Sequence, residues 1–396
     1  MNPPATRIII QMDGAYSSFA PDATVTHDAG VTRVACYGKT YTFGTISAIP
    51  DPTPVPAPAP TPVPAPVIAP APAFSPSDFR TFTVPAAGKT DTIPAGTWTG
   101  HQDIAPECHD YTIQGAGRTL TILDGQGGVG SGHRLSFGKG VVHGRAANTL
   151  IQDVGFIGGG GADGTSDGEA GFYVGDGQTG LVTVRRCDFS ASENGIFMQP
   201  GAGDLLIDTC TFGANGANGL NDGRSHDNYV CGASTTIKGS YYVGNSRGNQ
   251  IKSRSPKLAV SDTYVGRTNG RWIDMPGGTD ATSTNNIFVT LGTDSQNAFG
   301  LYDESDDHVN PGKYGSFLSV DDAFYFQRFV EVFWINHAAC RVEFVRPRVF
   351  WIGQAGANPP SVSIQGPGGL VNPISPFVFD ESNRVGAAPQ PPVLTS

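Results

Sequence analysis

The sequence is poor in charge and in long apolar runs. Only 15% of its 396 residues are Asp, Glu, Lys or Arg, and acids outnumber bases 35 to 25. A net charge of −10 argues against a nucleic-acid surface, which needs clustered Lys and Arg. No apolar run approaches the ~18 residues that cross a bilayer, so membrane insertion is not expected. The opening stretch MNPPATRIIIQMDGAYSS carries one arginine and the short run Ile8–Ile10, well below the ~7–15-residue core of a secretory signal. Synthesis in the cytoplasm without a signal peptide is the expectation. Cysteine is scarce too: Cys36, Cys108, Cys187, Cys210, Cys231 and Cys340 show no CxxC or other metal spacing. Free, mostly buried thiols are the expectation, since Cys behaves as a small hydrophobe.

What the chain has in excess is glycine, 53 residues, and proline, 31, which argues against a helical protein. Much of the proline lies in IPDPTPVPAPAPTPVPAPVIAPAPAFSPSD, residues 49–78. Proline lacks the N–H and locks φ, so this stretch can form neither ladder nor helix. It reads as a polyproline-II spacer, rising about 3.1 Å per residue. Ahead of it, residues 1–48 hold short strand patterns in TRIIIQMDGAYSSF and GVTRVACYGKTYTFGTI. So small a unit buries little by itself, which makes it a docking module that needs a partner surface or copies of itself.

Beyond the spacer the chain repeats. Cys187-Asp188-Phe189, Cys210-Thr211-Phe212, Ser240-Tyr241-Tyr242 and Thr263-Tyr264-Val265 recur at intervals of 23, 30 and 23 residues. Each triplet follows a β-branched run and precedes a Gly/Asn/Ser turn. By the period-two rule its first and third residues share a face, and the large apolar third residue marks that face as inside. A period in the low twenties with short strands and Gly/Asn-rich corners predicts an all-β chain. Its main body, residues 79–385, would be a right-handed parallel β-helix of roughly ten to twelve coils stacked about 4.8 Å apart. The Leu-x-x-Leu-x-Leu frame of leucine-rich repeats is absent. Cys187 and Cys210 then stack in adjacent coils, read as a packed thiol ladder rather than a disulfide. Residues 82–100 read as an N-terminal cap. The aromatic-rich 321–353 carries the last coils and a surface fit for subunit packing, and residues 386–396 form a flexible tail.

In successive coils SHDNYVCG, GNQIKSRS and RWIDMPGG resemble lines of a group of pectate-lyase-like β-helix proteins found in alphaproteobacteria, their tailed phages and gene transfer agents. The resemblance covers about residues 140–300 and is specific for the group, not for a reaction. It implies a virion spike that binds host capsular polysaccharide, sits at the particle surface, and docks onto a capsid or spike-base protein through residues 1–48. A homo-oligomer follows, a trimer with a pentamer as alternative. Two other readings stay open: a lyase or hydrolase that depolymerises the capsule, and a structural decoration protein without ligand.

Candidate site residues come from the same lines. Aligning 228–231, 250–253 and 272–275 puts Val230, Lys252 and Asp274 in one row, where Lys252 and Asp274 would form an ion pair across adjacent coils. His226, Asp227 and Arg254 lie near the same edge. The row reads as a register-setting ladder, as passive glycan contact, or as a groove with His226 or Asp274 as acid/base. A second cluster, Asp303, Glu304, Asp306, Asp307 and His308, reads as a solvated acidic loop, as a Ca²⁺ site, or as glycosidase carboxylates. It lacks EF-hand spacing, so no cofactor is expected there beyond that Ca²⁺ option. The Gly-rich 158–171 opens no helix and carries no Gly-Lys-Ser/Thr, which excludes a phosphate loop. Pectate lyases themselves use Ca²⁺-binding aspartates with an arginine base; no Asp triplet aligned on one row is visible here.

Overall fold

The computed structural model describes the strands within residues 9–43, and residues 85–390 apart from 101, 126–139, 160–169, 176, 217–224, 245–247, 267–269, 291–296, 303–314, 328–329, 336–339, 354–361 and 366–380. Residues 1–68 and 69–396 are two separate units. The first holds a hairpin of Ile9–Met12 with Ala15–Ser18 and a meander of Thr24–Asp28, Val31–Cys36 and Lys39–Phe43, all antiparallel. The proline-rich 49–78 lies outside the described residues, as do Asp303 and the rest of its acidic loop.

The second unit is a parallel β-helix of three sheets. One coil shows the plan: Leu181–Arg185 enters sheet 1, Asp188–Ser190 sheet 2 and Asn194–Met198 sheet 3, before Asp204–Asp208 begins the next coil in sheet 1. Sheets 1, 2 and 3 contain 10, 11 and 10 strands among the described residues, in line with the coil number expected from the repeat length. Thr90–Ile93 and Gly96–Thr99 are the first rungs of sheets 1 and 2, so residues 90–99 belong to the first coil and not to a separate cap.

The corner between sheets 1 and 2 explains the triplets. A residue in the left-handed region opens it in coil after coil, among them Asp153 (φ 58°), Arg186 (φ 48°), Thr209 (φ 58°) and Asp262 (φ 51°). Its N–H reaches into the next coil, as Arg186 N–H does to the Asp208 carbonyl at 2.9 Å. The chain then turns inward, so the next residue points into the core. That inward column runs Cys187, Cys210, Ser240, Thr263, Asn286, Asp322, all buried. Cys187 and Cys210 are free thiols, as are Cys108, Cys231 and Cys340.

Two residues further on, the third member of each triplet fills the core of sheet 2. Phe156, Phe189, Phe212 and Tyr242 are in register. They stack nearly parallel at 4.7, 5.0 and 4.8 Å between centroids, the coil spacing itself. The buried Tyr242 hydroxyl is met by Asn228, an inward residue of sheet 3. The aromatic stretch near the C-terminus divides. Phe324, Phe326, Phe333 and Trp351 are buried in the core, while Tyr325 and Phe350 stack half-buried at 4.7 Å.

Candidate functional site

Sheet 3 carries the site. In Asn228–Val230, Ile251–Ser253 and Ile273–Met275 the outer residues of each triplet face the core and the middle one faces out. The register pairs Asn228 with Ile251 and Ile251 with Ile273, so the middle positions align as Tyr229, Lys252, Asp274. Lys252 and Asp274 share a row as the sequence predicted, but their neighbour is Tyr229 and not Val230. The reason is a one-residue difference: 23 residues separate Asn228 from Ile251, and 22 separate Ile251 from Ile273. Such a slip turns every side chain to the opposite face, which puts Val230 in the core.

Followed in both directions, this outward row is largely aromatic. Toward the N-terminus Tyr229 is preceded by Phe197, Tyr173 and His143, one per coil. Their ring centroids lie 5.0, 5.2 and 5.1 Å apart in sequence. Toward the C-terminus Asp274 is followed by Gly300 and Trp334. None of Tyr173, Phe197 and Tyr229 joins the core cluster. The missed aromatic row was hidden by the assumed register. A strict middle-residue reading of FYV, IFM and NYV would have found it.

Two polar centres stand on the row. At the first, Lys252 Nζ lies 5.2 Å and Arg254 Cζ 5.5 Å from the Tyr229 ring centroid, and the His226 ring packs edge-on at 5.5 Å. His226 Nδ1 accepts a hydrogen bond from the Asn249 N–H at 3.0 Å. Burial first, then the charges of Lys252 and Arg254, hold its pKa well below the usual histidine value. The ring is therefore neutral, its proton sits on Nε2, and it presents a donor rather than a base.

At the second centre the predicted Lys252–Asp274 ion pair gives way to another. Asp274 is paired with Arg271 Nη1 at 2.5 Å, three residues along its own chain. Its carboxylate also accepts from Asn249 Nδ2 at 2.8 Å and the Tyr302 hydroxyl at 3.2 Å. Arg271 in turn lies 5.3 Å from the Tyr302 ring and 5.2 Å from that of Trp334. A carboxylate so occupied is a structural hub, and Asp274 is buried to 1% exposure. Asp227 is set apart in the corner behind the row, bonded to Asn215 at 2.8 Å. Among the described residues no cluster of three or more His, Cys, Asp or Glu side chains could hold a metal ion, and no helix is long and apolar enough to cross a membrane.

No protein-family model matches the chain, and no curated protein matches it. Among solved structures, an alginate lyase from Paenibacillus sp. str. FPU-7 superposes with a TM-score of 0.50 at 14% identity, over 72% of this chain and 98% of that one. A pectin methylesterase from carrot gives 0.38 at 14% identity, over 75% and 76% of the two chains. The A-module of a mannuronan C-5 epimerase from Azotobacter vinelandii gives 0.35 at 14%, over 70% and 91%. At this identity the first likeness speaks to the fold alone: the protein is a right-handed parallel β-helix.

Proposed function

We propose that the protein is a polysaccharide-binding spike of a phage or gene-transfer-agent particle, with the outer face of sheet 3 as its glycan surface. The aromatic row carries this reading. The face of a sugar ring presents weakly positive C–H groups that settle on the negative face of an aromatic ring. Phe197 and Tyr229, both half-buried, stand in adjacent coils along one line, which suits a linear polymer lying along the helix axis. Residues 1–48 would dock the chain onto a capsid or spike-base protein, with 49–78 as the spacer that projects the β-helix from the virion surface. A trimer, or a pentamer at a fivefold vertex, would turn weak sugar contacts into avidity.

Retention of the purified chain on encapsulated cells tests the reading. Phe197→Ala and Tyr229→Ala should each weaken it about 5- to 100-fold, on the scale of a lost aromatic stack. No retention on any encapsulated strain would leave a decoration protein without ligand. A lyase or hydrolase of the same fold is the second reading, the alternative left open by the sequence. New reducing ends, or the ultraviolet absorbance of an unsaturated uronate, would establish it over the binder.

A further inference from the structure

We infer that His226 is a positioning residue of sheet 3, the middle rung of a side-chain ladder Asn194–His226–Asn249 that holds Tyr229, Lys252 and Asp274 outward. Its consequence for binding rests on sheet 3 being the glycan face; the ladder itself does not. The rungs hold one place in three successive coils. Asn194, His226 and Asn249 each stand two residues ahead of the first inward residue of a sheet 3 strand, Ile196, Asn228 and Ile251. Arg271 stands in the same place ahead of Ile273. Each rung's side chain accepts from the next main-chain N–H: Asn194 Oδ1 from His226 at 2.9 Å, His226 Nδ1 from Asn249 at 3.0 Å, and Asn249 Oδ1 from Arg271 at 2.8 Å. The neutral imidazole does with Nδ1 what the asparagines do with Oδ1.

A main-chain bond runs beside each of these, from the residue after a rung to the carbonyl of the next rung position. The Gly195 N–H donates to His226 at 3.2 Å, Asp227 to Asn249 at 3.2 Å and Gln250 to Arg271 at 2.9 Å. Successive rungs are thus clamped at two points. The clamp matters because the connections that lead into it are unequal. Residues 191–193, 214–225, 245–248 and 266–270 separate the sheet 2 strands from Asn194, His226, Asn249 and Arg271. Chain arriving through segments of such different length has nothing in its spacing to fix the register, and a slip of one residue turns a strand over. The capped N–H groups of His226, Asn249 and Arg271 lie three residues ahead of Tyr229, Lys252 and Asp274. Each rung therefore decides which face one of these three side chains takes.

The test compares variants of the full chain, each held well below its melting temperature. His226→Asn keeps an acceptor at the rung, and His226→Leu removes it. Asn286→Ala removes a capping side chain from the other corner, between sheets 1 and 2, and serves as the control for lost stability. Hydrogen exchange at the Asn249 amide reads the ladder, and retention on encapsulated cells reads the face. In His226→Leu that amide should exchange about tenfold faster and retention should fall about tenfold, the scale of one hydrogen bond. His226→Asn should stay within about twofold of the parent in both, and Asn286→Ala should keep the parent's retention. Parental protection of the Asn249 amide in His226→Leu overturns the ladder. Asn194→Ala puts the same question to the His226 amide, so the ladder stays testable if His226→Leu does not fold. Retention lost in His226→Asn with the amide still protected makes the imidazole itself the contact and overturns the positioning role. Retention lost equally in Asn286→Ala assigns the effect to general stability and overturns it too. A parent that no encapsulated strain retains overturns the glycan face, while exchange still decides the ladder.

Discussion

Asp227 stands at the entry to a strand of sheet 3 with one carboxylate oxygen held by Asn215 and the other without a partner. Burial pushes its pKa from 3.8 up to about 7, and the Asn215 bond offsets only part of that. The folded chain therefore holds this proton more tightly than the unfolded chain does. Its contribution to stability is complete below about pH 4, falls as pH rises through the window up to about 7, and is level above it. A shift of this size amounts to roughly 4 kcal/mol. Asp227→Asn keeps an acceptor for Asn215 and mimics the protonated acid. Melting temperatures of the variant and the parent should therefore converge at low pH, and the variant should be the more stable above about pH 7. A constant difference across that range would assign the pH dependence to other groups. Gly300 poses a steric question in the same region. A Cβ there would come within 2.6 Å of Asp274 Oδ1 and 3.0 Å of Arg271 Cδ and Tyr302 Cε1. Gly300→Ala must displace the Arg271–Asp274–Tyr302 hub, with an expected cost of about 1–3 kcal/mol in chemical unfolding.

At the scale of the element, the inward column at the first corner becomes a hydrogen-bonded ladder toward the C-terminus. Ser240 Oγ accepts from the Cys210 N–H at 3.1 Å and Thr263 Oγ1 from the Ser240 N–H at 3.4 Å. Asn286 Oδ1 accepts from the Thr263 N–H at 2.8 Å and Asp322 Oδ1 from the Asn286 N–H at 2.7 Å. Each polar side chain caps a backbone donor that the corner withholds from the sheet. Asn286 does the most, since its amide also donates to the Val260 carbonyl and to Ser283. Asn286→Ala should lower stability by about 1–3 kcal/mol for the orphaned Thr263 N–H, more than Ser240→Ala, as read by denaturant midpoints. The Cys187, Cys210, Ser240 and Thr263 part of this column and the Phe189–Phe212–Tyr242 stack were legible from the sequence, because a large apolar third residue in each triplet leaves only one inward face. The Tyr229–Lys252–Asp274 register was not. The repeat length changes by one residue there, and a period-two strand turns such an error into the wrong face. Nor could spacing reveal that Arg271, on the same coil as Asp274, lies closer to it than Lys252, or that His226 and Arg254 meet over one ring.

The whole β-helix is quasi-one-dimensional, so its stability is close to a sum over coils and the contacts between neighbours. The parallel Phe156–Phe189–Phe212–Tyr242 stack concentrates apolar burial in four successive coils, next to the Asn228–Tyr242 contact that ties sheets 2 and 3 together. Removing one ring should therefore act locally. Phe212→Ala forfeits about 3–5 kcal/mol of burial and packing. In an ordinary globular core that loss is shared by the whole domain through one cooperative transition. In a stack of coils it falls on the nearest neighbours, and regions several coils away lose little. Hydrogen exchange followed by mass spectrometry should show faster exchange in peptides spanning Asp188–Ser190, Thr211–Gly213 and Tyr241–Gly244. Peptides over Ser316–Val320 should keep parental protection. Uniformly faster exchange along the chain would mean that the β-helix unfolds as one unit. The aromatic row on sheet 3 would then depend on the stability of every coil and not on its own.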